Sequence, residues 1–385
     1  MTATMPPTRM SSIPTTRCLQ LSKFYPPVLG GIESVAFELT EGLARLGFQM
    51  EVLCANTTRG TICELRPYPV VRVSSWGKLL STSMSPSMVL ELLFRRSRQD
   101  VLHVHLPDPM ANLAIYIARP RGRLVVHWHS DVVNQKRALR LYAPLQAWLL
   151  RRADAIVATS EPYAATSNWL RPFLDKVRVV PIGIRPPSFD PALVTAVRQQ
   201  YPGKRIVFAL GRMVYYKGFD TIIQAARELA PDVMVLVGGG GELLGEHRAA
   251  VRALGLEQRI QFLGRLEDSE VSALMHACDV FCLPSNVRAE AFGVVLLEAM
   301  AAARPIVATR IEGSGVPWVT LHGVTGLNVP VGDHSELANA LTSILNDPTA
   351  AARYGAAARK RFEDLFTAER MVDAIAALYR QIVVD

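Results

Sequence analysis

The chain has 385 residues, half of them hydrophobic and a fifth charged. That length exceeds one typical domain, and the balance excludes a disordered or fibrous chain. Up to position 190 there are 23 lysines and arginines against 13 aspartates and glutamates, and 19 against 21 beyond it, so the first half either meets an anionic partner (phosphate-bearing substrate, anionic lipid or nucleic acid) or is simply a soluble basic surface.

Residues 1–16 are rich in Thr, Ser and Pro without a long apolar run, and read as a flexible tail rather than a signal peptide. From Arg17 on, short β-branched runs alternate with helical patterns. The predicted strands are Arg17–Leu21, Met50–Cys54, Val70–Val73, Val101–His105, Leu124–His127, Ala155–Thr159 and Val177–Val180, then Arg205–Leu210, Val233–Val237, Ile260–Leu263, Val280–Leu283 and Ile306–Ala308. Helical patterns such as Ile32–Leu46, Phe219–Leu229, Ser269–Ala277 and Val294–Ala303 lie between them. Strand–helix alternation of this kind means parallel sheets covered on both faces. The aperiodic stretch "PIGIRPPSFDP" from Pro181 reads as a linker. Two Rossmann-like α/β domains are expected, over 17–185 and 186–367, facing each other across a cleft where ligands meet the carboxyl ends of the strands. The final helix, over 368–385, can lie on either domain. Five scattered cysteines with no CxxC pair suit a reducing compartment, and no run of eighteen apolar residues predicts a membrane span.

Several segments carry candidate chemistry. In "LGGIE", Gly30 and Gly31 open a helix and can bring backbone amides against a phosphate; a tight strand-to-helix turn explains them equally well. The pairs His103/His105 and His127/His129 close two strands, each pair on one strand face, which suits metal ligands less well than a polar acceptor entering the cleft. "KRALRLYAPLQAWLLRR", Lys136–Arg152, sets basic residues beside Leu141, Tyr142 and Trp148, as an interfacial helix on anionic lipid would, or as a core helix with charged ends would; Pro144 interrupts it. In "GRMVYYKG", Gly211–Gly218, Arg212 and Lys217 are two cations at the ligand end of a strand, fit to grip phosphate. In "VGGGGE", Gly239 lies in a glycine turn, but G-x-G-x-x-G fails and no Walker A sequence occurs. The richest stretch, Pro284–Ala303, has Glu290 in a loop and Glu298 about one turn into a helix. The unpaired amides of Phe292, Gly293, Val294 and Val295 stand between them. A carboxylate on each side suits sugar hydroxyls at both ends of a diphosphate. There is no DxD motif, so a metal-held diphosphate is not indicated.

Gly30–Gly31, "GRMVYYKG" and the E-x7-E of "EAFGVVLLEAMA", in this order, resemble family 4 of the retaining glycosyltransferases, which have the two-domain fold called GT-B. The resemblance covers nearly the whole chain after Thr16. It implies that Glu298 binds the ribose hydroxyls and Glu290 the donor sugar. It also implies that Arg212, Lys217 and the amides after Phe292 hold the diphosphate and stabilise the leaving group, that Gly31 faces the same diphosphate, and that His129 lies beside the anomeric centre. It implies retention, no metal and no cofactor, the nucleotide-sugar being a substrate. A narrower resemblance, in "HSDVVNQKRALRLYAPL" and "GSGVPWVTLHGVTGLNVP", is to bacterial mannosyl- and D-rhamnosyltransferases of O-antigen or exopolysaccharide assembly. These use GDP-sugars and polyprenyl-diphosphate-linked acceptors at the cytoplasmic face of the plasma membrane. That implies a peripheral membrane location; nucleic acid is not expected, since no basic patch with interleaved aromatics on a known module is visible beyond Lys136–Arg152. A UDP-sugar-dependent transferase, or a sugar-nucleotide epimerase of the same fold, is the alternative.

Overall fold

The computed structural model describes residues 16–28, 30–79, 82–132 and 136–384. All of the expected tail but Thr16 lies outside the described residues, as do Leu29 and the side chains of Lys136 and Arg137.

The first sheet is built from β1 (Arg17–Ser22), β2 (Gln49–Ala55), β3 (Ile62–Leu65) and β4 (Pro69–Val73), with α1 (Gly31–Arg45) crossing from β1 to β2. A small ribbon, β5 (Lys78–Leu79) and β6 (Thr82–Ser83), leads into α2 (Ser87–Arg95). Then follow β7 (Val101–Leu106), α3 (Pro109–Ala118), β8 (Arg123–Trp128), α4 (Lys136–Arg152), β9 (Ala155–Ala158), α5 (Glu161–Thr166) and β10 (Val177–Val179). The strand order is β10-β9-β8-β7-β1-β2-β4-β3, parallel throughout except for β3, which pairs antiparallel on the edge. Every residue of β7 is buried, the pattern of a strand covered on both faces.

The second domain begins with α6 (Pro191–Gln200) and β11 (Arg205–Leu210), followed by α7 (Phe219–Ala225), β12 (Val233–Gly238), α8 (Leu244–Ala253) and β13 (Ile260–Gly264). It continues through α9 (Asp268–Ala277), β14 (Val280–Leu283), α10 (Val294–Ala301), β15 (Ile306–Thr309), α11 (Val316–Val319), β16 (Gly326–Val329), α12 (His334–Leu345) and α13 (Pro348–Leu365). Its six strands are all parallel, in the order β13-β12-β11-β14-β15-β16. The edge strand β16 escapes the apolar-run reading because it opens on Gly326, where a Cβ would stand 1.9 Å from the Ile306 carbonyl oxygen. Three helices start on Asp-Pro: Asp108, Asp190 and Asp347 each accept a backbone N–H of the first turn, with proline in that turn.

The last helix, α14 (Ala368–Val384), packs against α1 of the first domain. Gly42 makes this contact close: a Cβ there would sit 2.3 Å from Val372 Cγ2. The outgoing and returning crossovers run side by side. Ile184 bridges Thr367, its N–H donating to the Phe366 carbonyl and its carbonyl accepting from Ala368, at 2.9 and 3.0 Å. One apolar core runs continuously from α1 and β1 through α14 into β14 and α10. Among the described residues, no helix is long and apolar enough to cross a membrane.

Candidate functional site

Both E-x7-E glutamates lie beside the start of α10, at the carboxyl end of β14. Gly293 precedes the helix with φ of +78°, a left-handed turn that suits glycine, and no side chain caps the helix end. Its first amides are left as donors for a ligand. Glu290, 8% exposed, is held from three sides. Lys217 Nζ lies 2.6 Å from its Oε2, Ser285 Oγ donates to the same oxygen at 3.0 Å, and Ser314 Oγ donates to its carbonyl. The sequence treats Lys217 and Glu290 as separate ligand contacts; the fold pairs them, so an incoming donor meets a neutralised couple. Glu298 keeps a partly exposed edge, yet burial first and the Asp268 charge second lift its carboxyl from 4.5 to about 7. Near neutrality it therefore stands half ionised, and among the described residues no cation offsets it and no side chain donates to it.

Arg212 extends into solvent from the loop after β11, its Nη2 donating to Tyr216 Oη at 3.1 Å. Gly211 and Gly239 meet back to back: Gly239 has φ of +113°, and a Cβ on it would fall 2.0 Å from the Gly211 carbonyl oxygen. The glycine turn thus lets the β12 loop support the Arg212–Lys217 loop by close packing. Across the cleft, Gly31 opens α1; a Cβ there would meet nothing within 4 Å, whereas one on Gly30 would strike Glu33. The open side at Gly31 leaves room for a ligand.

Arg288, which sequence reasoning passed over, joins the domains. Its guanidinium donates to the carbonyls of Tyr163 and Thr166, 3.2 Å each, and of Gly313, 3.0 Å. It lies 3.4 Å from Asp131 and 4.3 Å above the Tyr163 ring. Asp131 is fixed in turn by Trp128 Nε1–H and Ser167 Oγ. The loop carrying Glu290 is thereby anchored to the loop carrying His129. Asp108, also unremarked in sequence, is buried at the end of β7, its carboxyl pushed to about 6 and its Oδ2 without a partner. The Asp-Pro after a strand was the available signal.

The four histidines form one stack. His103, His105 and His127 are fully buried and His129 is 6% exposed; burial pushes all four below the usual histidine range. Nitrogens of His103, His105 and His127 lie within 4.8 Å of one another. The rings of His103 and His105 are near parallel at 12°, those of His105 and His127 stand at 26°, and those of His103 and His127 are tilted by 37°. Lone pairs lie in the ring planes, so parallel rings do not aim them at one ion. His105 spends both nitrogens on hydrogen bonds, to His129 and Gln20. The stack suits a hydrogen-bond network better than a tetrahedral metal cage.

Helix α4 runs unbroken from Lys136 to Arg152 through Pro144, contrary to the expected interruption. Leu149 and Leu150 face the core, and Trp148 packs edge-on against Tyr116, so these are not free to insert in a membrane; Leu141, 87% exposed, is.

A family model described as Glycosyltransferase Family 4 matches residues 29–186, and one described as Glycosyl transferases group 1 matches residues 195–361. The chain is 33% identical to O-antigen chain mannosyltransferase C of Escherichia coli, over 94% of this chain and 96% of that protein. It is 32% identical to the D-rhamnosyltransferase WbpZ of Pseudomonas aeruginosa, over 91% and 92%. Among solved structures, sucrose-phosphate synthase from Thermosynechococcus elongatus superposes with a TM-score of 0.78 at 23% identity, covering 96% of this chain and 99% of that one.

Proposed function

The chain belongs to the family 4 glycosyltransferases and has their GT-B fold, and from that membership we propose that it transfers a hexose, mannose or D-rhamnose, from a GDP-sugar with retention and without a metal. The acceptor is a glycan, polyprenyl-diphosphate-linked, in cell-surface polysaccharide synthesis; the two relatives' names are the ground for the sugar and the pathway. The carrying observation is the buried Lys217–Glu290 couple beside the uncapped start of α10, with Glu298 one turn further in.

In this reading the donor's diphosphate docks on the α10 amides, Lys217 and Arg212, with Gly31 opposite. Glu290 accepts from sugar hydroxyls and Glu298 from the ribose hydroxyls, which supply the donors its carboxylate lacks. As the C1–oxygen bond breaks, negative charge grows on the leaving diphosphate, and fixed cations and amides oppose it more strongly in the transition state than before. The acceptor hydroxyl attacks the same face and passes its proton to the departing phosphate oxygen; no carboxylate attacks the sugar. His129 meets a sugar hydroxyl at the reacting centre.

The reading includes docking at the inner face of the plasma membrane. Its support is a ridge on the neighbouring helices α2, α3 and α4, where Leu90, Phe94, Leu113, Ile117 and Leu141 are exposed beside the exposed Arg96, Arg119, Arg121 and Arg140. Apolar side chains ringed by arginines fit an anionic lipid surface.

The test is a thermal-shift screen of GDP, UDP and ADP, followed by transfer assays with the matching sugar, with and without EDTA. Stabilisation by GDP and transfer in excess EDTA support the reading. Stabilisation by UDP alone moves the donor to a UDP-sugar, activity lost to EDTA and restored by magnesium refutes metal independence, and isomerisation of the sugar-nucleotide without acceptor marks an epimerase.

A further inference from the structure

The histidine stack does not end at the cleft. Gln20 on β1 lies behind it, and Tyr379 on α14 reaches it from the far end of the chain. The links form one chain of hydrogen bonds. Gln20 Nε2 donates to Tyr379 Oη at 3.2 Å, and Tyr379 Oη lies 2.6 Å from His103 Nδ1. His103 Nε2 lies 3.2 Å from His127 Nδ1. On the other arm, Gln20 Oε1 is 3.0 Å from His105 Nε2, and His105 Nδ1 is 2.9 Å from His129 Nε2. Of the four rings only His129 keeps any exposure.

Burial keeps the four imidazoles neutral, so each holds one N–H and one lone pair. A chain of such groups has only two consistent directions. The short phenol contact chooses between them, because a phenol donates to imidazole better than it accepts from it. With its proton given to His103 Nδ1, Tyr379 Oη accepts from the Gln20 amide. The Gln20 carbonyl then accepts from His105 Nε2–H, which leaves His105 Nδ1 to accept from His129 Nε2–H. All four rings are therefore Nε2–H tautomers; the chain ends on His127 Nε2–H, which has no partner among the described residues, and His129 presents Nδ1 as a bare acceptor. Turning the Gln20 amide over would reverse every proton and make His129 Nδ1 a donor.

We propose that Tyr379 and Gln20, acting through His105, are positioning residues that fix His129 as the Nε2–H tautomer, so that it receives a substrate hydroxyl rather than donating to a phosphate or carbonyl oxygen. The consequence for substrate rests on the reading that His129 lies at the reacting centre; the tautomer itself does not. The device places a residue of the last helix in control of a group on the first domain's cleft face.

The experiment is nitrogen NMR of the full chain labelled with 15N-histidine, in which bare and protonated ring nitrogens resonate far apart, together with kcat and KM. The wild type shows all four histidines as Nε2–H tautomers. Tyr379→Phe removes one hydroxyl and keeps the ring; it frees the Gln20 amide, gives His129 a mixed tautomer, and lowers kcat about tenfold, the worth of one unmade hydrogen bond, with donor KM unchanged within about twofold. Gln20→Met cuts the chain on the other side of the phenol and gives the same pattern, should Tyr379→Phe fold poorly. A wild-type His129 protonated at Nδ1, or a His129 tautomer indifferent to both substitutions, overturns the proposal. If the tautomer shifts with turnover intact, His129→Ala separates the causes: an inactive variant refutes the positioning role, and an active one refutes only the placement of His129 at the reacting centre.

Discussion

Replacing Glu298 by glutamine isolates what a buried carboxylate does to this protein. In the unfolded chain its carboxyl titrates near 4.5; in the folded chain, near 7. Below pH 4.5 both forms are protonated and the shift has no effect on stability. Between the two values the unfolded chain ionises first, so stability falls as pH rises, and above 7 the penalty is complete. A tenfold difference in acidity is about 1.4 kcal/mol, so the full penalty is about 3 kcal/mol, of which about 2 develops between pH 5.5 and 8.5. Glu298→Gln lacks the ionisable group. Urea unfolding of the ligand-free protein should show the variant gaining on the wild type by about 2 kcal/mol over that interval. The same variant should bind the nucleotide less tightly at pH 8, since a neutral amide accepts ribose hydroxyls more weakly than a carboxylate, and wild-type affinity should fall as pH drops through 7. A stability difference independent of pH would refute the burial argument, and unchanged nucleotide affinity in calorimetry would remove Glu298 from the donor site.

Lys217→Ala leaves Glu290 buried without its counter-charge and should destabilise by about 3 kcal/mol; adding Glu290→Gln should recover most of that in chemical unfolding, and a double variant as unstable as the single would contradict the pairing. Gly42→Ala should cost about 1–3 kcal/mol by driving a methyl into Val372, and Val372→Ala should relieve it in thermal melts; an additive double variant would mean that α14 is not seated there. Phe94→Ser with Leu141→Ser should reduce sedimentation with anionic vesicles at low salt while leaving transfer to a soluble acceptor intact, and a wild type that stays in the supernatant refutes membrane docking.

Much of this was legible in the sequence because local pattern carried it. β-branched runs closed by glycine or charged loops marked the parallel strands, and Glu290, Gly293 and Glu298 read as a helix start with a carboxylate on each side because helix ends have fixed unpaired amides. What escaped depends on distance along the chain. Nothing near Lys217 announces that its ammonium rests on Glu290, seventy-three residues away. Arg288 looks like one more loop cation until Asp131 and Tyr163 arrive from the other domain. Tyr379 reads as one apolar position of an amphipathic helix, and its hydroxyl gains meaning only beside Gln20 and His103. Gly326 hid β16 because its role is to admit a neighbouring carbonyl, which composition does not record. Pro144 misled because α4 tolerates a proline without breaking.

The chain leaves the first domain at Ile184 and re-enters it at Thr367, so the second domain is an insertion inside the first, and the order of synthesis differs from the order of completion. At about 5–20 residues per second, a ribosome takes about 10–40 seconds to make the stretch from the first crossover to the end of α14. Before that interval ends, once β16 is made, the second domain has all its own strands and can close, while the first still waits with β1, β7 and β8 laid down and the histidine face uncovered. Until α14 is made, the polar rings and the apolar flank of α1 lack the helix that covers them. A message truncated just after α13 would therefore leave the second domain with all its strands and the first without the helix that packs on α1, with the lesion at one end of the chain and the damage at the other.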